Sequence, residues 1–294
     1  MAKTNEIKNR IASIDMIGSI TNAMYLVSMA KLQKHQKRIE TLQEYEKLVK
    51  QHMSEIFAAF QYMDESFTHP FMKKNKNPKN IAYIVFTSSM GLCGSYNENV
   101  IRTLTEQLHA NLEITPHIFM VGRHGYNKAI HRGLEVFKLL DPQSDVLRYS
   151  ELREAVTNEV IEGFYNNTYD AIRIIYTKYI SPLTQKVTID QVLPIASMKD
   201  LLEDAEISFA PFTIFEPSRE EVLDYMVRKN VKSTTYIHYL EAQTSEESIR
   251  RMSMDNANKN GKELVEKLKL QYNRERQANI TQEMTEIIGG SSTD

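Results

Sequence analysis

From Ser218 to Ile288 the chain runs without a proline, and nothing constrains its fold more. A continuous helix over that span would reach roughly 105 Å, against about 30 Å for a small domain. Ser218 stands three residues before Glu221, the capping-box pattern that opens a helix. The final part, Ile249–Ile288, is rich in Lys, Glu, Gln, Arg and Leu. Its lone Gly261 costs only about 1 kcal/mol against alanine. Ile249, Met252, Ala257, Leu264, Leu268, Ala278 and Ile288 are spread thinly among charges, so no wide apolar face serves a compact core. Such a helix is a coiled coil, an exposed bridge or an insert in a partner.

The other end of the chain has the same character. Between Thr4 and Tyr62 there is no proline and one glycine, Gly18. Thr4 reads as an N-cap, and Ile7, Ile11, Ile14, Ile20, Met24 and Val27 follow at helical spacing. Leu42, Tyr45, Val49, His52, Ile56 and Ala59 alternate steps of three and four, the narrow seam of a coiled coil. Tyr236, Ile237 and Leu240 are its expected counterpart, with the C-terminal helix projecting past its partner.

His69-Pro70 and the basic, Asn-rich run Lys73–Asn80 break this pattern and predict a linker. Beyond it, Ile81–Thr87, Pro116–Val121, Leu134–Leu139, Ala171–Tyr176 and Val187–Leu193 read as strands. Helical stretches at Tyr96–Leu112, Lys128–Arg132 and Glu151–Tyr165 come between them. That alternation predicts a parallel sheet with helices on its faces. The fold class expected is therefore a long antiparallel coiled coil of N- and C-terminal helices with a Rossmann-like α/β domain at one end. The boundaries are 1–66 for the first helix, 67–79 for the linker, 80–210 for the α/β domain and 211–294 for the last helix.

A net charge of −2 gives no global pull toward nucleic acid or anionic membrane. A single cysteine, Cys93, excludes an intramolecular disulfide and fits a reducing compartment. The first ten residues lack the apolar core of a signal peptide. No run approaches the ~18 apolar residues of a membrane span, so a soluble chain without membrane insertion is expected.

Candidate chemistry is sparse. Gly91–Ser95 lies between a strand and a helix, where helix amides bind phosphate. It lacks the Gly-Lys-Ser/Thr of a P-loop and the three glycines of a dinucleotide site, so a tight turn is the better reading. Cys93 sits in that turn, but the glycines are misplaced for a nucleophile elbow, and only His117, His124 and His131 are nearby as bases. His124 and His131 share no acidic or thiolate ligand at metal spacing. Lys31, Lys34, Lys37 and Arg38 form a basic face without the aromatic residues that nucleic-acid binding uses. No catalytic, cofactor or metal site is expected. Arg274, Arg276, Gln277, Thr281, Gln282 and Glu283 cluster hydrogen-bonding groups on the last helix, which suits either a solvated face or directional bonding to a partner.

Several segments decide between those readings by resemblance. Ile7–Ile14 (IKNRIASI), Ser19–Lys34 (SITNAMYLVSMAKLQK), Thr87–Asn97 (TSSMGLCGSYN), Val121–Val136, Tyr176–Pro194 and Phe215–Asp224 (FEPSREEVLD) occur in that order, closed by RERQANITQEMTEIIG within Met252–Gly289. Together they resemble the gamma subunit of rotary (F-type) ATP synthases along the whole chain. The resemblance implies a non-catalytic central rotor shaft, coupling nucleotide turnover on an alpha/beta hexamer (three of each) to rotation and proton transport. It implies an epsilon-like subunit and a membrane rotor ring as further partners, and a peripheral position on the cytoplasmic face of the cell membrane. Matched position by position, Arg276 and Gln277 bond to a beta-subunit loop, Thr281 and Glu283 add contacts, Met24 faces beta, and Glu216 lies at the foot near the ring. Ser19, Asn22 and Gln33 stand where the family usually has basic residues, and Ser89-Met90 where it has Asp-Arg. A duplicated rotary ATPase with a non-proton output, a free coiled-coil adaptor, and an enzyme built on Cys93 are the alternatives.

Overall fold

The computed structural model describes residues 2–63, 70–72, 75, 77–142, 148–195 and 215–291, with side chains from 3 to 56 and to 285 at the two ends. Two helices dominate: α1, Ala2–Met63, of 62 residues, and a C-terminal helix, Arg219–Ser291, of 73. Between them lie β1 (Asn80–Phe86), α2 (Tyr96–His109), β2 (Thr115–Val121), α3 (Arg123–His131) and β3 (Lys138–Leu140). Next come α4 (Tyr149–Leu152), a π turn (Arg153–Thr157), α5 (Asn158–Tyr165), β4 (Ala171–Ser181) and β5 (Thr184–Leu193); the C-terminal helix is therefore α6. The chain divides into two compact units, one of Met1–Ala30 with Arg250–Asp294 and one of Lys31–Ile249.

Burial along α1 repeats every seven residues. One series runs Thr4, Ile11, Gly18, Tyr25, Leu32, Ile39, Glu46, Met53; the other runs Ile7, Ile14, Thr21, Ser28, His35, Leu42, Val49, Ile56; every member is buried or half-buried. This is the coiled-coil seam, and it corrects the expected one in detail. Val49 and Met53 are buried, whereas Tyr45 and His52 face outward. Near the N-terminus the seam leaves Ile20 and Val27 outside, each more than half exposed. A strict seven-residue repeat admits only those positions, and small or polar residues occupy it there instead. Ala59 lies outside the described side chains. Pairing is antiparallel in each unit. In the first, Lys3 meets Glu275 at 2.6 Å, Ile14 lies against Gly261 and Thr21 bonds to Asn258. In the second, Thr234 Oγ1 donates to Glu46 at 3.3 Å, while eleven residues earlier on α1 His35 feels the charge of Glu247, thirteen residues later on α6. Beyond Glu275, α6 continues to Ser291.

The second unit holds a five-stranded sheet in the order β3-β2-β1-β4-β5. β1 to β4 are mutually parallel, as the strand–helix alternation requires. β5 departs from the expected parallel sheet: it runs antiparallel to β4. The connection is Pro182-Leu183 alone, far too short for a crossover. Pleating sorts β1 between two cores. Ile81, Tyr83 and Val85 pack with Val100, Ile101 and Leu104 of α2. Ala82, Ile84 and Phe86 join a larger cluster with α5, Val49 and Met53 of α1, and Leu223, Val227, Val231 and Leu240 of α6. Both faces of the sheet are thus covered, as parallel sheets demand. The expected strand Leu134–Leu139 shrinks to three residues, and α3 begins five residues earlier than the spacing predicts, at Arg123 after Gly122 (φ 106°). Of the expected linker, Pro70–Met72 form a 3-10 turn whose Phe71 is buried and stacks on Phe164.

Candidate partner interface

Cys93 is buried in its turn and tied into it by hydrogen bonds. The thiol is 2% exposed and lies 3.6 Å from Ser88 Oγ; Asn97 Nδ2 donates to its sulfur at 3.4 Å. Asn97 also accepts from the Ser88 amide at 2.9 Å, so Asn97 ties the end of β1 to the first turn of α2. Leu92 (φ 63°) and Gly94 (φ 54°) adopt left-handed backbone, which is what the glycine at 94 provides for. Of the three nearby histidines, two have contacts away from the turn and one lies against it. His117 packs edge-on against Phe137, His131 Nδ1 bonds to Asn127 O at 2.7 Å, and the His124 ring covers Gly91. Among the described residues no group of three His, Cys, Asp or Glu could hold a metal ion.

What the fold does build is a pair of outward faces in the first unit. On α1, Met16, Ile20, Ala23 and Val27 step by four, three and four on the side opposite the seam, and all are exposed. Met16 is 68% exposed, and Ile17, Leu26 and Met29 flank the stripe. In a free coiled coil those outer positions carry charge, yet from Ile11 to Ser28 the only charged residue is Asp15. On α6 the seam follows Met254, Asn258, Gly261, Val265, Leu268, Tyr272, Glu275 and Asn279. The opposite side presents Leu270, Arg274, Gln277, Thr281 and Met284, all exposed. Apolar residues at this exposure, interleaved with directional donors and acceptors, are the composition of an interface before its partner arrives.

The six residues singled out from the sequence fall as follows. Gln277 and Thr281 share the outward stripe of α6, one turn apart, and Thr281 Oγ1 donates to Gln277 O at 2.9 Å. Arg276 and Glu283 are exposed on the neighbouring row, with Ile280 between them. Met24 is half-buried beside the α1 seam, and Glu216 is exposed in the second unit, two residues before the Ser218 cap. Ser218 Oγ accepts from the Glu221 amide at 3.3 Å and donates to Glu221 Oε1 at 3.1 Å, so Ser218 caps the helix as expected. Sequence reasoning missed Met16, Ile20, Val27, Leu270 and Met284 as surface. The signal was present in the seven-residue phase, which assigns those positions to the outside.

The whole chain matches a known family: the model described as ATP synthase covers residues 3–293. The ATP synthase gamma chain of Mesoplasma florum is 34% identical across 99% of both chains. The chain belongs to the ATP synthase gamma-chain family. Gamma chains of Pelotomaculum thermopropionicum and Acetivibrio thermocellus are 31% and 34% identical over the same share. The fold agrees with that of solved relatives. A chain of the Euglena gracilis mitochondrial ATP synthase (OSCP/F1/c-ring) gives a TM-score of 0.66 at 17% identity, covering 99% of this chain and 94% of that one. The central stalk/c-ring structure of the Tetrahymena thermophila enzyme gives 0.59 at 22%, covering 81% and 99%. For a gamma chain the outward stripes are the feature that asks for a partner.

One property of α1 needs a separate reading. Contrary to the expectation from the sequence, between Lys3 and Ile56 it contains an 18-residue window apolar enough, by length and composition only, to cross a bilayer. Its partner in the first unit is the stretch of α6 that carries Lys259, Lys262, Glu263, Glu266, Lys267 and Lys269. Taking that charge into hydrocarbon would cost several kcal/mol per residue on the more lenient scales. That charge on α6 opposes burial of the pair in hydrocarbon.

Proposed function

We propose that this chain is the central rotor shaft of a rotary ATP synthase, turning inside a hexamer of alternating alpha and beta subunits. The observation that carries this reading is the pair of outward stripes: apolar on α1, where a free coiled coil would be charged, and on α6 mixing Leu270 and Met284 with Arg274, Gln277 and Thr281. The shaft itself performs no chemistry; its work is to present a different face to each beta subunit as it turns. Nucleotide affinity then differs around the ring, a coupling free energy between distant sites. Arg276 and Gln277 bond to a beta-subunit loop, Thr281 and Glu283 extend that contact, and Met24 faces beta from α1. Glu216 belongs to the foot, which meets an epsilon-like subunit and a membrane rotor ring. The complex is peripheral, on the cytoplasmic face of the membrane, and proton transport is its output.

Gentle purification through a tag on this chain tests the class of complex: alpha- and beta-like chains in a three-to-three-to-one ratio are expected. Within the assembled complex, the double substitution Arg276→Ala with Gln277→Ala is expected to lower ATP turnover and the proton pumping tied to it. A free adaptor would leave turnover unchanged, and that result would remove the proposal.

A further inference from the structure

Between α2 and strands β4 and β5 lies a recess of about 400 Å³, a volume within the range of small-molecule sites. One flank of α2 walls it with Ser95, Asn99, Arg102 and Thr103. Thr177 and Val187, which are cross-strand partners, supply the sheet side, and Ile249 of α6 completes the wall.

The lining is cationic and polar. Arg102 and Lys186 belong to it, and among the described residues no carboxylate does. Glu106, outside the lining, lies 3.8 Å from Arg102 Nε, with the two side chains 70% and 62% exposed. Water screens a pair that open, and the guanidinium keeps donors to spare. The amides of the wall are already oriented. Asn99 Nδ2 donates to Ser95 Oγ at 3.2 Å, and Gln185 Nε2 to Ser181 O at 2.9 Å. Thr177 is 3% exposed, yet its Oγ1 has no well-aligned hydrogen-bond partner. The Tyr96 phenol lies near that hydroxyl but donates to Ala242 O at 3.2 Å. A buried hydroxyl left in this state is a standing cost that a polar occupant removes.

We propose that this recess binds a small phosphorylated sugar, either free or as the ribose phosphate of a nucleotide. The phosphate meets the Arg102 guanidinium, whose planar fork suits it, and Lys186 adds charge. Sugar hydroxyls bond to Asn99, Gln185 and Thr177 Oγ1, while the carbon skeleton rests on Val187 and Ile249. This inference goes beyond the shaft reading and stands without it.

Isothermal titration calorimetry of the full-length chain tests it with ribose 5-phosphate, AMP, inorganic phosphate and ribose as probes. Ribose 5-phosphate and AMP are expected to bind with Kd below about 1 mM, and phosphate or ribose alone at least about tenfold more weakly. Equal affinity for the two phosphorylated probes assigns the site to free sugar phosphates; tighter AMP assigns it to nucleotides. Arg102→Ala, at an exposed position, should weaken binding about tenfold. So should the near-isosteric Asn99→Asp, which sets a carboxylate in the wall. Thr177→Val should also weaken binding while its thermal unfolding stays at or above the parent temperature, a split that a purely structural hydroxyl would not produce. Three results overturn the inference: no binding of either phosphorylated probe up to about 10 mM, inorganic phosphate binding as tightly as they do, or parent affinity in both Arg102→Ala and Asn99→Asp.

Discussion

His35 is the sharpest test of how the seam is built. It occupies a seam position of α1 at 1% exposure, and neither ring nitrogen has a hydrogen-bond partner. Burial pushes its pKa down from 6.5 to about 4, with Glu247 opposing and Arg38, Lys31 and Lys34 assisting. A depressed histidine is neutral when folded. Its stabilising share is therefore complete above the unfolded value of 6.5 and is lost as pH falls toward 4. Each pH unit of that gap is worth about 1.4 kcal/mol, so acid should remove about 3 kcal/mol through this one ring. Replacing His35 with Leu removes that proton-linked loss and ends the cost of two unsatisfied nitrogens, about 1–3 kcal/mol at neutral pH. The assay is urea unfolding of the full chain followed by circular dichroism, for parent and variant, between about pH 7.5 and about pH 4. Other carboxylates titrate in both proteins and cancel in the difference. The stability gap between variant and parent should widen steadily as pH drops below the ordinary histidine value. Parallel curves would refute the reasoning, because the ring would then be free to take its proton inside the fold.

Further outcomes separate the observed seam from its alternatives. Met53→Ala empties a fully buried position and should cost about 2–5 kcal/mol in urea unfolding, whereas His52→Ala should stay within about 0.5 kcal/mol. Gly125→Ala should fail to fold at growth temperature, as judged by soluble yield, because its new Cβ would fall 2.2 Å from the buried Thr87 side chain. Gly18→Ala should instead raise stability by about 0.5–1 kcal/mol, since nothing lies within 4 Å of the added carbon; thermal unfolding would register it.

Both outsized helices are legible from missing prolines, and the sheet from β-branched runs between glycines, because these are local signals. The seam was harder to read. Leu42, Val49 and Ile56 stand out, but Gly18, Thr21, Ser28, His35 and Glu46 occupy equivalent positions without being apolar. Only a strict count of seven reveals them. The middle of α6 carries the weakest apolar signal of any buried stretch. Ser233, Thr235, Thr244, Ser245 and Ser248 look like surface, yet all are buried. Thr235 and Thr244 return their hydroxyls to their own helix, at Val231 O and Leu240 O, both at 2.7 Å. Small side chains that satisfy themselves in this way let α6 lie close to the sheet. The antiparallel β5 was hidden for a simpler reason: the extent of the turn decides direction, and strand ends are blurred in sequence. As for the interface, Gln277 and Thr281 could be matched by resemblance, but the apolar members of the same stripe, Leu270 and Met284, went unremarked among the charges around them.

The unbroken sevenfold spacing on α1 has a mechanical corollary. A straight α-helix closes a turn every 3.6 residues, so contacts repeating every 3.5 oblige two such helices to wrap around each other with a left hand. Twist applied in one sense draws left-handed strands together, while the opposite sense eases them apart. Each paired segment should therefore be torsionally stiffer in one direction than in the other, an asymmetry written into residue spacing before any other subunit is present.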